Sequence, residues 1–253
     1  MADFEKIELL MLEVLGKISD EFGNSAVLKG GMELRFLDCP RYTNGLDYVF
    51  IPFTSKKKIK DRLLKCLSGI DGVEISHSMD SKCIRCYIQR DKTGIQVEVT
   101  VARQCKTEEL STSAMARGTR TGPRIISVMK LDTAFSHKLA AWFERRLFKD
   151  LYDIYFFSLV IGIKPDFPVL LSRLESMRVR DKGRFRRKTV SVEDFIAVLE
   201  TEKKRITHDV VESSMKDFLA PEELPGLEYK IKSAISRVIS TLTDYNAGNF
   251  NPK

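Results

Sequence analysis

Residues 26–53 read AVLKGGMELRFLDCPRYTNGLDYVFIPF, and this stretch decides the fold that the sequence predicts. The apolar residues 26–28 predict a short strand, and the run YVFIPF at 48–53 predicts a second one. Between them, the pattern MELRFLD predicts a helix that follows the pair Gly30 and Gly31. Two glycines between a strand and a helix let backbone amides approach a phosphate, although the same pair also suits a plain tight turn.

Helical spacing and strand alternation extend the pattern in both directions. In the first half they predict helices at 4–22 and 56–68 and strands at 73–78, 83–89 and 95–102, with a hairpin turn at 91–94 in which Gly94 has a positive φ. After Pro123 they predict helices only, at 131–148, 151–161, 167–177, 192–201 and 227–244. The sequence therefore predicts an α+β protein, with a small mixed or antiparallel sheet in residues 1–125 and a helical part in residues 126–253.

Composition indicates a globular chain. Its 253 residues are 43% hydrophobic and 30% charged, which is enough to bury a core. No apolar run reaches the ~18–20 residues of a membrane-spanning helix, and the first residues predict no signal peptide. Five cysteines, an odd number, favour a reducing cytoplasm over a disulfide framework. Cys83 and Cys86 form a CxxC motif within a strand pattern, which puts the two thiols on opposite faces and argues against a zinc site.

The net charge of +7 comes mostly from one stretch. Residues 178–188, RVRDKGRFRRK, contain seven basic residues and one acidic residue. Concentrated cations favour a polyanionic partner through counterion release, and a solvated loop explains the same composition. The candidate polyanion-binding side chains are Arg178, Arg180, Arg184, Arg186, Arg187 and Lys188.

Two acidic side chains in strand contexts are candidate metal ligands. Asp47 precedes the apolar run 48–53, where a carboxylate either forms a turn or binds a metal ion. In residues 95–101 the alternating apolar side chains face the core, so Glu98 lies on the other face, where a lone Glu is usually solvated. The sequence lacks the phosphate-loop, dinucleotide, zinc-protease and serine-hydrolase motifs, and its three histidines argue against a histidine-based site.

Four short motifs occur in an order that resembles one known family. They are KGGMELR at 29–35, RYTNGLD at 41–47, HKLAA at 137–141 and KDLYDIY at 149–155. This order resembles the AbiEii/AbiGii-type toxin nucleotidyltransferases of type IV toxin–antitoxin systems, a branch of the DNA polymerase beta-like nucleotidyltransferase superfamily.

The resemblance implies a nucleotidyltransferase-like first domain and a helical second domain. It implies transfer of a nucleotide from an NTP, with Mg²⁺, to an RNA acceptor such as a tRNA 3′ end, and an antitoxin protein as partner. The basic stretch 178–188 would contact the RNA. Gly30 and Gly31 would cradle the nucleotide phosphates, and Asp47 and Glu98 would bind metal. The implied catalytic residues are Asp47, Lys138, which also contacts the nucleotide phosphates, and Asp153, with Asp150 as its companion.

One position departs from the family pattern, because the first Asp of its D-L-D motif is replaced here by Gly45. Glycine supplies no ligand, so one metal-binding carboxylate is missing. Three explanations stay open: a substitution that disables a toxin for expression, a natural variant that binds without catalysing, or a charge supplied by Glu33, Asp38 or Glu98. The alternative function is therefore a non-catalytic nucleotide- or RNA-binding protein on the same fold. A third is nucleotide transfer to a Ser, Thr or Tyr of a protein.

Lys138 and Asp153 are too far apart in sequence to share a ligand on one straight helix, where about 22 Å would separate them. We therefore expect the helix to break near residues 145–148 and fold back. In that arrangement Asp150 could be an N-cap and Asp153 the third residue of the next helix, so capping is the structural alternative to catalysis for both acids.

Overall fold

The computed structural model describes residues 4–116, 122–181 and 184–248, without the side chains of 179–181 and 184–185. The chain forms two compact units, Met1–Lys130 and Leu131–Lys253. Within the described residues, no helix combines the length and the apolar character needed to cross a membrane. The assignment of residues 1–125 and 126–253 as functional domains stays a prediction.

The first unit is a seven-stranded mixed sheet with flanking helices, as predicted. Its helices are α1 (Phe4–Phe22), α2 (Gly31–Arg35), α3 (Lys57–Ser68) and α4 (Ser113–Ala116). Its strands are β1 (Ala26–Lys29), β2 (Gly45–Phe50), β3 (Glu74–Met79), β4 (Ile84–Arg90), β5 (Thr93–Val101), β6 (Thr107–Ser111) and β7 (Ile125–Met129). The order across the sheet is β3-β4-β5-β2-β1-β7-β6. The pairs β2–β5 and β1–β7 are parallel, and the other neighbours are antiparallel.

Helix α1 covers one face of this sheet. Its apolar residues recur every three or four positions, and Met11, Val14 and Ile18 are fully buried in the core that α1 forms with α3 and the strands. On β5 the alternation predicted from the sequence is confirmed, because Val97 is buried in this core while Glu98 is partly exposed on the opposite face. The candidate carboxylates therefore lie on the face of the sheet opposite α1.

Strand β2 differs from the prediction at both ends. It begins at Gly45 and ends at Phe50, whereas the apolar run predicts a strand at 48–53. Pro52 explains the early end, since it has no N–H to donate to a strand partner. The early start places Gly45 and Asp47 inside the strand, where they lie on the same face.

The turn between β4 and β5 is shorter than predicted. Arg90 pairs with Thr93, so the loop consists of Asp91 and Lys92. The positive φ of 52° belongs to Asp91, and Gly94 lies within β5. Asp tolerates the left-handed conformation because its short polar side chain can hydrogen-bond locally, which explains why no glycine is needed.

Strands β6 and β7 are absent from the prediction. β6, with the sequence TEELS, lies at the sheet edge and lacks apolar alternation. β7 is short, IISVM, and its parallel pairing with β1 joins Val128 to Leu28, which lies far away in the sequence. Neither property leaves a local pattern.

The second unit is mainly helical. Its helices are α5 (Leu131–Arg145), α6 (Phe148–Tyr155), α7 (Phe167–Leu174), α8 (Val192–Arg205), α9 (His208–Met215) and α10 (Leu227–Asn246), with a π-helical segment at Phe156–Ile161. The prediction that only helices follow Pro123 is wrong at two places, because β7 belongs to the sheet of the first unit and β8 (Met177–Asp181) pairs antiparallel with β9 (Arg184–Lys188). The described residues of the basic stretch therefore form a pair of strands, and not the loop that was one of the two interpretations of its composition. Helix α9 is also missing from the prediction.

The predicted helix break near residues 145–148 is confirmed. Helix α5 ends at Arg145, Arg146 has a positive φ of 55°, and α6 begins at Phe148. The expectation that Asp150 is the N-cap is wrong, since Leu147 takes that position and Asp150 is the third residue of α6. Neither Asp150 nor Asp153 is explained by capping.

Candidate active site

The first predicted motif forms the turn between β1 and α2. Gly30 has a φ of 83°, a conformation that favours glycine. A Cβ atom at this position would lie 2.8 Å from Asp47 Oδ2, so the Asp47 carboxylate rests against the glycine. The Gly30 N–H donates to Glu33 Oε2 at 3.2 Å, which makes Glu33 a capping residue of α2. One of the two amides expected to hold phosphate is therefore bonded to Glu33 in this structure.

The second glycine is in contact with the second motif. A Cβ atom at Gly31 would lie 3.0 Å from both Arg41 Nη2 and Thr43 Oγ1. Arg41 is only 4% exposed, and its Nη1 donates to the Tyr42 carbonyl at 3.1 Å. The glycine pair and the RYT residues that precede β2 are thus one packed arrangement, which explains physically why these residue types occur together.

Gly30→Ala is expected to destabilise the first unit more than Gly72→Ala does. Both positions have a positive φ, 83° and 68°, which costs a residue with a Cβ about 1–2 kcal/mol. A Cβ at Gly72 would meet no atom within 4 Å, whereas at Gly30 it must displace Asp47, at an additional cost of about 1–3 kcal/mol. Urea unfolding, with hydrogen exchange to localise the effect to β1 and β2, measures the difference. Equal losses would contradict the close approach of Asp47.

Asp47 and Glu98 are brought together by the sheet. They are register partners on the parallel strands β2 and β5, so their side chains lie next to each other on one face. Glu98 Oε1 accepts hydrogen bonds from Arg85 Nε at 3.0 Å and Gln96 Nε2 at 2.6 Å. The Asp47 carboxylate has no hydrogen-bond or ion-pair partner among the described residues. The structure thus pairs the two carboxylates that the sequence proposes as metal ligands.

Gly45 occupies the third position of this arrangement. It is two residues before Asp47 on the same face of β2, opposite Gln96, and a Cβ there would lie 3.2 Å from the Gln96 carbonyl oxygen. Among the alternatives for the missing charge, Glu33 is buried at the capping position and Asp38 is exposed with a φ of 61°. Glu98 is the candidate that the register places beside Asp47. Across the described residues, no three His, Cys, Asp or Glu side chains form a group that could hold a metal ion.

The other predicted site residues form a buried ion cluster in the second unit. Lys138 on α5 contacts Asp153 Oδ2 at 2.7 Å and Asp150 Oδ1 at 3.2 Å, both on α6. Arg145 binds Asp150 through two hydrogen bonds of 2.6 and 2.7 Å. Both carboxylates are fully buried. Burial alone would raise the pKa of Asp150, but the charges and hydrogen bonds of Lys138 and Arg145 hold that pKa below its usual range.

Each unit thus contains part of the predicted set, with Gly30, Gly31, Asp47 and Glu98 in the first and Lys138, Asp150 and Asp153 in the second. The family described as "Nucleotidyl transferase AbiEii toxin, Type IV TA system" matches residues 14–234. The chain belongs to this family. The AbiEii assignment makes it a nucleotidyltransferase toxin of a type IV toxin–antitoxin system, which implies an NTP as substrate and an antitoxin as partner.

Two solved structures share the fold of this AbiEii-family chain. MenT4, the nucleotidyltransferase toxin Rv2826c from Mycobacterium tuberculosis H37Rv, is 21% identical, with a TM-score of 0.62 over 94% of this chain and 83% of that chain. JHP933 from Helicobacter pylori is 14% identical, with a TM-score of 0.57 over 98% of this chain and 97% of that chain. No curated protein matches the chain. These identities support the fold and say nothing further about this chain.

The donor set of the AbiEii chain fits one Mg²⁺ ion better than two. Mg²⁺ in nucleotide sites is usually held by one or two carboxylates, with water and phosphate oxygens completing the shell. Asp47 and Glu98 supply two adjacent carboxylates, and Glu98 keeps Oε2 outside its bonds to Arg85 and Gln96. A second ion would need the carboxylate that Gly45 lacks.

Three arginines contact predicted site residues and are absent from the prediction. Arg85 binds Glu98, Arg145 binds Asp150, and Arg41 packs on Gly31. Arg85 is the register partner of Glu98 because the loop between β4 and β5 has two residues, Asp91 and Lys92. A prediction with this loop length would therefore have placed Arg85 opposite Glu98. Arg145 is five residues before Asp150 across a helix break, a contact that no helical spacing predicts.

The basic stretch of the AbiEii chain is placed on β8 and β9. Arg178 is the register partner of Arg187, and the Arg178 N–H donates to Glu144 Oε1 at 3.0 Å. The side chains of Arg186, Arg187 and Lys188 are exposed. The side chains of Arg180 and Arg184 lie outside the described part of the chain.

Proposed function

We propose that this AbiEii-family toxin transfers a nucleotide from an NTP to an RNA acceptor in the cytoplasm, with Mg²⁺ as cofactor. The observation that carries the proposal is the pairing of Asp47 with Glu98 on the face of the sheet opposite α1, with the Asp47 carboxylate against Gly30. We assign the nucleotidyltransferase-like domain to the first unit and the helical domain to the second.

In this proposal Asp47 and Glu98 hold the Mg²⁺ ion, which when bound neutralises the charge of the triphosphate. Asp47 can bind a cation without first losing a hydrogen bond to the described residues. Glu98 keeps its orientation through Arg85 and Gln96. Gly30 and Gly31 would bind the nucleotide phosphates through their backbone amides, because the space beside their Cα atoms is filled by Asp47 at Gly30 and by Arg41 and Thr43 at Gly31. The Gly30 amide becomes a phosphate donor only if it exchanges its bond to Glu33.

Lys138 and Asp153 take part in the same reaction in this proposal. Lys138 binds the nucleotide phosphates, and Asp153 fixes the position of its ammonium group through the 2.7 Å contact. Asp150, which Arg145 binds at 2.6 Å, contacts the same ammonium at 3.2 Å. Positioning of this kind is worth much to phosphoryl and nucleotidyl transfer, which depends on alignment more than on proton chemistry.

The acceptor in this proposal is RNA, with a tRNA 3′ end as the first candidate. The exposed cations of β9, Arg186 to Lys188, suit the phosphate backbone of RNA, which is recognised largely by charge and shape. If the acceptor were a protein, the nucleotide label would appear on protein and not on RNA, so the position of the label distinguishes the two acceptors.

A second candidate function is nucleotide or RNA binding without catalysis. The observation that favours it is Gly45, which leaves the described residues without a three-carboxylate group. RNA binding would then persist with a steep salt dependence, and restoring the carboxylate would not produce transfer.

The proposed activity is tested by incubating the chain with each α-labelled NTP, Mg²⁺ and total tRNA, and by locating the label on RNA or protein. We expect label on RNA, and we expect Asp47→Asn to lower the rate about 100-fold because it removes a metal-binding charge. Asp61→Asn, which removes an exposed acid of α3 in the same unit, serves as the control and should leave the rate unchanged. Absence of transfer, both by this chain and by Gly45→Asp, would refute the enzyme proposal and leave the binding function.

A further inference from the structure

The hydrogen bonds around Glu98 are distributed unequally between its two oxygens. Oε1 accepts from both Arg85 Nε, at 3.0 Å, and Gln96 Nε2, at 2.6 Å. Oε2 is in contact with the Cys83 thiol at 3.9 Å, which is a weak donor at a long distance. One oxygen is therefore fixed by two strong donors, while the other can still take a cation.

Arg85 is itself anchored. Its Nη1 donates to Asp80 Oδ2 at 2.9 Å, and Asp80 Oδ1 accepts the N–H groups of Lys82 at 2.6 Å and Cys83 at 3.0 Å. These bonds hold the pKa of Asp80 well below its usual range, so the carboxylate is ionised. The loop before β4 thus fixes Asp80, Asp80 fixes Arg85, and Arg85 fixes Glu98.

We propose that Arg85 is a positioning residue for the metal ligand Glu98, holding Oε1 so that Oε2 is presented to the cation beside Asp47. The proposal rests on the proposed function, because it requires that Asp47 and Glu98 bind Mg²⁺. Carboxylates that bind metals are commonly oriented by a hydrogen-bonded partner, and loss of that partner weakens metal binding.

Two other roles for Arg85 are less consistent with the contacts. As a contributor to stability the pair is weak, since both side chains are 33% exposed and water screens such a pair. Arg85 could also compete with a metal ion for Glu98 by neutralising the Glu98 carboxylate. The positive charge of Arg85 is, however, already balanced by Asp80, which contacts its Nη1 at 2.9 Å. The contacts of Arg85 therefore favour a role in fixing the orientation of Glu98 beside Asp47.

The test measures binding of Mn²⁺ alone to the full chain by calorimetry and electron paramagnetic resonance. Arg85→Met is expected to lower the Mn²⁺ affinity about 10- to 100-fold. Arg90→Met is the matched control, because Arg90 lies on the same strand, is 30% exposed and pairs with Glu13 at 2.7 Å, away from Glu98. Its Mn²⁺ affinity should stay within about twofold of the parent. Unfolding in urea checks that both variants remain folded.

The measurements are made with Gly45 and again with Gly45→Asp, so that the two proposals fail in different ways. Binding of Mn²⁺ that is unchanged or tighter in Arg85→Met would overturn the positioning role and leave the metal site intact. An equal loss in Arg90→Met would also overturn it, since the effect would then come from any cation lost on β4. No Mn²⁺ binding in either background would overturn the metal site itself, and with it the role of Arg85.

Discussion

Gly45→Asp is expected to raise the rate of nucleotide transfer by about 10- to 100-fold, because it adds a third carboxylate to the face that carries Asp47 and Glu98. Gly45 lies in an extended strand two residues before Asp47, so the new side chain projects from the same face. Its Cβ would approach the Gln96 carbonyl oxygen at 3.2 Å, a contact that a small shift of the strand relieves. Steady-state transfer of label to RNA measures the gain.

Two controls test whether a gain comes from a carboxylate at position 45, and not from the size of the new side chain or from a negative charge added elsewhere on the sheet. Gly45→Asn has the same shape without the negative charge and should give no gain. Gly94→Asp adds the same charge to the same face of β5, about 13 Å along the strand from Glu98, where a Cβ meets no atom within 4 Å. A gain of similar size in either control would contradict a ligand role for position 45.

Lys138→Met is expected to lower the free energy of unfolding by about 3–5 kcal/mol. The substitution removes the ammonium that two fully buried carboxylates share, and breaking a buried pair from one side is costly. Lys203→Met is the control, because Lys203 forms an exposed pair with Glu200 at 3.9 Å and should cost less than about 1 kcal/mol. Denaturant unfolding followed by Trp142 fluorescence, a probe within the second unit, measures both.

The effect of Lys138→Met on the free energy of unfolding should depend on pH in a defined direction. The pKa of Asp150 is lowered in the folded chain, so its ionised form stabilises the fold above the ordinary Asp pKa, and this stabilisation is lost as the pH falls through the folded value. The difference between the parent and Lys138→Met should therefore be largest near neutral pH and shrink below about pH 4. A difference that is constant across this range would contradict a charge effect.

Stability and chemistry at Lys138 can be told apart with a triple variant. Lys138→Met combined with Asp150→Asn and Asp153→Asn removes the uncompensated buried charge, so most of the lost stability should return. If the triple variant is stable but transfers no nucleotide, the cluster acts in the reaction. If a stable triple variant transfers at the parent rate, Lys138 and Asp153 only stabilise the second unit.

Residues with strong local periodicity were predictable. Both ends of helix α1 are predicted correctly, and the alternating burial of β5 places Glu98 on the face opposite the core, because both follow from short-range apolar spacing. The break between α5 and α6 followed from a distance argument on Lys138 and Asp153, and it was confirmed at 2.7 Å.

The features that could not be predicted from the sequence depend on contacts between residues distant in the chain or on unusual composition. The pairing of Asp47 with Glu98 needs the parallel register of β2 and β5, which no local pattern encodes. The β8–β9 pair was missed because its high density of charge resembles a solvated loop. The expected capping role of Asp150 is wrong because α6 begins earlier, at Phe148, and the carboxylate pairs with Lys138, 12 residues before it on α5.

The cross-strand row from Lys29 through Asp47 and Glu98 to Arg85 has a consequence for how the chain can change. An amino-acid exchange alters one member and leaves its neighbours aligned. Deletion of a single residue within β2 or β5 would instead shift the alternation of that strand by one position. Asp47 or Glu98 would then face the apolar core. Insertions and deletions should therefore be confined to the loops of this unit, while the lengths of its central strands are held constant among functional relatives.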